Sequence, residues 1–318
     1  MLFGIRNRLI LLLSIFSIVP VILLGIFAIK TGTDALMKNI GTASIDLSHS
    51  VTDRINDHLL HDYRDSLAWS KNELFTSALE TGVNDKVVQL LENINFQGHD
   101  NHYIALVNRE GKVIASSRPE IFPLEPYFAK SEGWEKALKG LPAFDEPSYE
   151  DALEDYSLNM YAPVKNSRDD SRIAGVLVTA FKWSHLNDMV STMKIRGKTQ
   201  DMADHVMVTM KNGLAISSYD PEEMFTENLI NLGMASAKNA QDHKEGYLVE
   251  ISEHNLKTFA TYTYLPDIED MPNPGWLVII LQDYDEIFSS IHSLQSIVAL
   301  TSLFIITALL FSSFKLAG

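Results

Sequence analysis

Four carboxylates crowd into the eleven residues LPAFDEPSYED (141–151): Asp145, Glu146, Glu150 and Asp151. Side chains of this type serve three kinds of chemistry. Two carboxylates held several ångströms apart, one of them kept protonated, hydrolyse glycosides. Acids grouped with histidines hold metal ions. Acids beside aromatic rings receive cations, because the ring face attracts positive charge and the carboxylate pairs with it. No further catalytic signature accompanies the acids: the chain has no cysteine, no nucleophile elbow, no His-Glu-x-x-His and no phosphate loop. For metal, His58 and His61 stand three apart on a helical stretch beside Asp57 and Asp62, and His99 and His102 bracket a short loop. Such a pair needs a third ligand before it chelates, and solvated histidine is the plainer reading. The acids are therefore expected to form a binding rim, with no catalytic residue, metal or cofactor.

The ends of the chain decide where that rim sits. The 318 residues are 46% hydrophobic with a formal net charge of −15, enough for one large domain or two modest ones. Acidity argues against nucleic acid, whose phosphates demand a basic face. Residues 9–29 carry no charge and are long enough to cross about 30 Å of hydrocarbon; residues 296–314 form a second such run. The first is longer than a usual signal-peptide core and no A-x-A site follows, so it reads as a retained anchor. Pro20 inside it is a candidate kink, which membrane helices tolerate. Arg6 and Arg8 put the N-terminus inside. Residues 30–295 then lie outside and Lys315 returns to the cytoplasm. An outside segment without cysteine needs no disulfide, so its own core must hold it together. With so little chain after Phe314, the sequence is expected to be the front of a longer protein.

Between the two runs the periodicities repeat. A helix is expected over 33–80, with Leu36, Ile40, Ala43, Leu47, Val51 and Ile55 forming an apolar stripe and Gly82 as the stop. At about 1.5 Å per residue it would reach roughly 70 Å, the length of a stalk. The stripe is expected to pack partly on its own domain and partly on a second copy, as a homodimer. A hairpin over 101–117, helical turns over 125–140 and strands over 142–151, 156–166 and 172–183 come next. A joining helix over 183–193 follows. The pattern then recurs: a hairpin over 204–218, a helix over 221–240, and strands over 246–252, 257–265 and 275–284. This repeat implies an α+β fold of two tandem units, each a central antiparallel sheet with helices on its faces. The expected division is 1–30 for the N-terminus and first membrane helix, 31–85 for the stalk, 86–190 for the membrane-distal unit, 191–290 for the membrane-proximal unit, and 291–318 for the exit helix and second membrane helix.

Local motifs narrow the fold further. They are the paired hairpins REGKVIASS and KNGLAISS, the passage GWEKALKGLPAFDEPSYED, the strands YAPVKN and IAGVLV, and the exit NPGWLVIILQDYDEIF. In this order, between two membrane runs, they resemble the double Cache (dCache) sensor domains of bacterial transmembrane receptors: chemoreceptors, sensor histidine kinases and diguanylate cyclases. The resemblance covers about residues 30–296. It implies PAS-like Cache units displayed outside the inner (plasma) membrane by a two-pass protein, binding a small molecule in the membrane-distal unit and transmitting a signal across the membrane. The rival class is a structural or adhesive surface protein that senses nothing.

The resemblance also implies a site. Amino-acid-binding members of that family combine Arg-x-Trp-aromatic with Tyr-x-Asp and a later Asp. Here Trp134, Tyr149 and Asp151 match, whereas Glu132 takes the arginine position, Glu135 the aromatic one and Ala180 that of the later acid. The half of the site that receives an ammonium group is partly present, and the arginine that would clamp a carboxylate is missing. An amine or other small cation is therefore expected rather than a free amino acid. The candidate ligand-binding residues are Trp134, Tyr149, Asp151, Asn159, Tyr161 and Arg118. Asn159 and Tyr161 share one face of their strand, with Met160 on the other. The plainer roles are core anchor for Trp134, strand packing for Tyr149, loop charge for Asp151 and surface charge for Arg118.

Overall fold

Much of the apolar stripe on the long helix is consumed by the chain itself. The computed structural model describes all residues except 1–4, 84, 98–100, 123–126, 130, 170, 196, 253, 269–270 and 317–318. Helix α1 (Ile5–Ser70) runs without a break through the first apolar segment and the stalk, with Pro20 inside it. Val51 and Ile55, with Leu59 and Tyr63, are buried in the main core, while Leu36 and Ile40 pack against Ile287, Phe288 and Ile291 near the C-terminal end of the chain. The helix ends before the expected Glu80. The Asn72 side chain accepts the Leu74 N–H and caps a new helix, α2 (Glu73–Thr81), giving a donor of the first turn a partner that the continuing helix would not need. Gly82 stops α2 as expected, at φ 110°. Helix α3 (Asp85–Gln97) was not anticipated, although Val87, Leu91 and Ile94 carry helical spacing and are buried.

The first sheet comprises β1 (Asn101–Asn108), β2 (Val113–Ser116), β3 (Ala143–Phe144), β4 (Ser148–Glu150), β5 (Asp155–Lys165) and β6 (Ile173–Lys182). Helix α4 (Glu132–Leu138) lies between β2 and β3, and α5 (Trp183–Ser191) leads out of β6. The second sheet comprises β7 (His205–Thr209), β8 (Ala215–Ser217), β9 (Gly246–Ile251), β10 (Lys257–Tyr264) and β11 (Leu277–Asp283), with α6 (Ala235–Gln241) between β8 and β9. Strand orders are β2-β1-β6-β5-β3, with β4 also on β5, and β8-β7-β11-β10-β9. The two orders are the same, so the sequence repeat is a repeat of topology. Gly111 and Gly213, at φ 80° and 89°, make the equivalent hairpin turns.

Two expected elements are shorter than their sequence windows. The strand over 142–151 is split into β3 and β4, with Pro147, which has no N–H to give a ladder, between them. The helix over 221–240 is reduced to α6. Upstream of it the backbone bonds sideways: Phe225 N–H donates to Ala215 O, and Ala215 N–H to Glu227 O.

One face of both sheets packs on α1 in a continuous core that includes Leu158, Met160, Leu177, Trp183, Val206, Val208, Trp276 and Ile280. The opposite face of the second sheet is filled by α6, where Ala237 and Ala240 lie against Met207, Ile279 and Leu281. The opposite face of the first sheet holds Tyr103, Tyr161, Val178 and Ala180 beneath Trp134 and Ala137 of α4. Helix α7 (Tyr284–Leu316) leaves β11 and returns alongside α1. Among the described residues α1 is the one helix long and apolar enough to cross a membrane; the apolar stretch Gln295–Ala308 of α7 is shorter than a span.

Candidate functional site

Pairing across the first sheet sets the floor of the site. Tyr103 of β1, Ala180 of β6 and Asn159 of β5 lie side by side, and Ala105, Val178 and Tyr161 form the next row. Strand β4 adds Glu150 to the same face, because it pairs with Asp155, two residues before Ser157 and four before Asn159 on β5. In the second sheet the corresponding row is His205, Leu281 and Ala260, and apolar packing under α6 occupies it. Where the second sheet has Leu281 in this row, the first has the smaller Ala180.

Glu150 lies on the same face as Asn159. It is 7% exposed. Its Oε1 accepts from Ser157 Oγ at 2.5 Å and Asn159 Nδ2 at 2.8 Å, and Tyr103 Oη lies 3.3 Å from both carboxylate oxygens. All of these partners are uncharged. A buried carboxylate is ordinarily paired with a cation, since solvation by neutral donors replaces only part of what water gave. Burial, with the Glu150 charge second, raises the Tyr103 hydroxyl well above the usual phenol range, so it stays a donor.

Asp145 is engaged differently. It accepts from Ser131 Oγ (2.8 Å), Gly133 N–H (2.9 Å) and Tyr161 Oη (2.7 Å). It thus ties the start of α4 to β5 and is occupied as a cap. Burial and then the Asp145 charge push the Tyr161 hydroxyl well up. Gly133 permits this arrangement: a Cβ there would lie 2.3 Å from the Tyr161 ring.

The walls are aromatic. Tyr103 meets Phe122 edge-on at 4.8 Å, Phe122 meets Tyr127 at 5.4 Å, Tyr127 meets Phe128 at 4.9 Å, and Phe128 meets Tyr161 at 6.0 Å. Trp134, 8% exposed, packs in this cluster, and its indole N–H has no hydrogen-bond partner among the described residues. Burial raises the Tyr127 hydroxyl, with the Glu150 and Asp151 charges adding to it. His102, next to Tyr103 at the start of β1, lies 3.4 Å from Asp155 Oδ2 and is lowered by burial against that attraction. A cleft of about 630 Å³ opens beside the site, between Ser131, Phe144, Asp145 and Glu146 on one side and Pro272, Asn273 and Trp276 on the other.

Of the residues expected from sequence, Trp134, Asn159 and Tyr161 come together on this face. Asp151 lies exposed in the β4–β5 turn, near enough for its charge to reach Tyr127. Tyr149 does not join them. It is half exposed on the opposite face, edge-on to Tyr156 at 5.2 Å. Arg118 pairs with Glu120 at 3.2 Å on the surface. The reading missed Tyr103, Ser157 and the placement of Glu150. Of the histidines, His58 faces Asp62 at 3.7 Å and His61 faces Asp65 at 3.5 Å, each one helical turn on, while His99 lies outside the described residues.

A family model for the Cache domain, dCache_1, matches residues 33–291. The chain belongs to the dCache family. Solved structures with the same fold include the sensor domain of the V. cholerae histidine kinase DctB, at 15% identity and TM-score 0.53 over 76% of this chain and 98% of that one. The ligand-binding domain of the Pseudomonas fluorescens chemoreceptor CtaA, solved with L-isoleucine, is 13% identical with TM-score 0.54 over 83% and 97%. The sensory domain of a Campylobacter jejuni chemoreceptor is 12% identical with TM-score 0.57 over 80% and 97%. A search of curated proteins found no match. The dCache match accounts for the duplicated topology, and these structural neighbours are the sensor, ligand-binding and sensory domains of a histidine kinase and two chemoreceptors.

Proposed function

We propose that this dCache chain is the extracytoplasmic sensing half of a two-pass, homodimeric membrane receptor, and that its distal unit binds a small amine or other organic cation. The observation that carries the reading is Glu150: a buried carboxylate with uncharged partners, bonded to Tyr103 of an aromatic cluster that also holds Trp134, whose indole N–H has no acceptor among the described residues. An ammonium group would supply the missing charge and the rings would hold it by cation–π attraction. Asn159, Tyr161 and Trp134 serve as direct contacts in this reading, with Asp151 at the rim. Tyr149 and Arg118 have no place in it.

The two-pass arrangement is supported by exposed apolar side chains on both terminal helices: Phe16, Leu23 and Phe27 on α1, and Leu300, Leu303 and Phe304 on α7. At Gly25 the helices approach closely, with Ser302 Oγ 3.3 Å from where a Cβ would stand. A ligand in the distal unit would favour one arrangement of the domain and bias α7, by no more than its difference in affinity between the two states.

Calorimetric titration of the full chain in detergent with choline, ethanolamine and agmatine, against glycine, alanine and asparagine, tests the ligand class. Saturable heat from at least one amine is expected, and none from the amino acids. Heat from amino acids alone would reverse the assignment.

A further inference from the structure

Strand β5 carries the site on one face and a different contact on the other. Ser157 and Asn159 hold Glu150, while Tyr156 between them and β4 points away, towards the second unit. The Tyr156 ring lies flat on Phe225, centroids 3.9 Å apart and planes within 5°. Tyr149 braces Tyr156 from its own side, and Trp183, where the chain passes between the units, braces Phe225 edge-on at 6.4 Å. The Trp183 indole N–H donates to Ile216 O at 2.5 Å and its ring meets Trp276 at 5.3 Å. Aromatic contacts therefore run without interruption from the back of the site into the second unit.

Phe225 is an unusual link in such a chain. Its φ is 60°, in the left-handed region that a bulky side chain seldom enters. It is held there by its N–H bond to Ala215 O at 2.7 Å, by the Tyr156 stack and by Trp183. Its segment also carries Glu223, which is buried, accepts from Ser218 Oγ at 2.5 Å and lies 2.8 Å from His254 Nε2. A residue kept in an unfavourable backbone conformation by contacts from another unit will relax when those contacts shift, the property of a two-state element.

The geometry points to the Tyr156–Phe225 stack as the contact through which the distal site sets the conformation of residues 218–227 in the second unit. A change in how Glu150 is held alters the β4–β5 pair, turns Tyr156 with its strand, and loosens or tightens the Phe225 segment with its Glu223–His254 pair. Use of the contact in sensing rests on the ligand reading above; the mechanical link does not, and its test requires no ligand.

Hydrogen–deuterium exchange on the full chain, resolved to peptides, reads the link. Asn159→Ala, or Ser157→Ala if that variant folds poorly, removes one hydrogen-bond donor from Glu150. Exchange over 222–227 is expected to quicken roughly threefold or more, and that response should vanish when Phe225→Leu, or alternatively Tyr156→Leu, is added. A response that persists undiminished without the stack overturns the proposal. So does a variant that quickens exchange over 148–150 and leaves 222–227 unchanged. A chain that bound no amine could still pass.

Discussion

Glu150→Gln will leave the chain folded and abolish amine binding. The substitution removes charge while keeping shape. A glutamine Oε1 still accepts from Ser157 and Asn159, and its Nε2 donates towards the Tyr103 oxygen, so no buried group need lose its partner. What disappears is the negative charge that the proposed cation would pair with. Taking one partner from a desolvated charge pair costs about 2–5 kcal/mol, which is roughly 30-fold to several-thousand-fold in affinity. The ligand-free melting temperature should stay the same or rise, because the uncompensated charge is gone. The two readings together identify the role. A variant that melts much earlier would make Glu150 a structural residue, and one that binds amines as tightly as the parent would remove it from the site.

Gly133→Ala carries the second large effect, and there two contributions oppose each other. Alanine favours a helix interior over glycine by about 1 kcal/mol. Against this, its Cβ would stand 2.3 and 2.6 Å from Tyr161 ring carbons and 2.8 Å from Asp145 Oδ1. Carbon atoms prefer about 3.5–4.0 Å, so either the buried Tyr161 ring or α4 must move. Overpacking of this kind costs about 1–3 kcal/mol, occasionally more. The steric cost should win, because Tyr161 is 1% exposed and its hydroxyl is tied to Asp145. Urea denaturation should give a lower midpoint for Gly133→Ala, with weaker amine binding as α4 and Trp134 shift. An unchanged or raised midpoint would contradict the close approach.

Periodicity made the architecture legible, whereas strand parity decides which of the candidate residues share a face. The hairpins, the joining helix and the order of strands follow from alternation and turn residues, which are local. Helix α1 overran in the sequence reading because nothing in its stripe shows that Asn72 will cap a new helix rather than continue the old one. Segment 221–233 looked helical, yet its backbone finds partners on β8, a choice made by tertiary pairing. The site depended on one residue of register. Tyr149 and Asp151 were matched by motif, and Asn159 and Tyr161 by alternation; a four-residue turn between β4 and β5 puts Glu150, not Tyr149, on the side of Asn159. Pairing 148–150 with 155–157 in the sequence would have revealed this, had the break at Pro147 been placed first. Tyr103 lay within a strand buried on both faces, where no pattern marks one face as functional.

The altered acid positions acquire a physical sense in this frame. The family's later acid falls on Ala180, on the central strand β6, and a carboxylate on the same face comes from β4 as Glu150, held by Asn159 beside Ala180. Glu132, at the arginine position, faces outward and pairs with Lys136 at 2.7 Å. The site therefore presents negative charge and donors, which suits a cation carrying an acceptor for Trp134.

The indole N–H of Trp134 offers the most direct test. Of the chain's four tryptophans, Trp183 already donates to a carbonyl, whereas Trp134 is buried with no acceptor among the described residues. In nitrogen-labelled protein, assigned with Trp134→Phe, an amine from the calorimetric panel should shift the Trp134 indole resonance and leave that of Trp183 in place. A Trp134 resonance unmoved by every amine, or moved only by amino acids, would contradict the cation site.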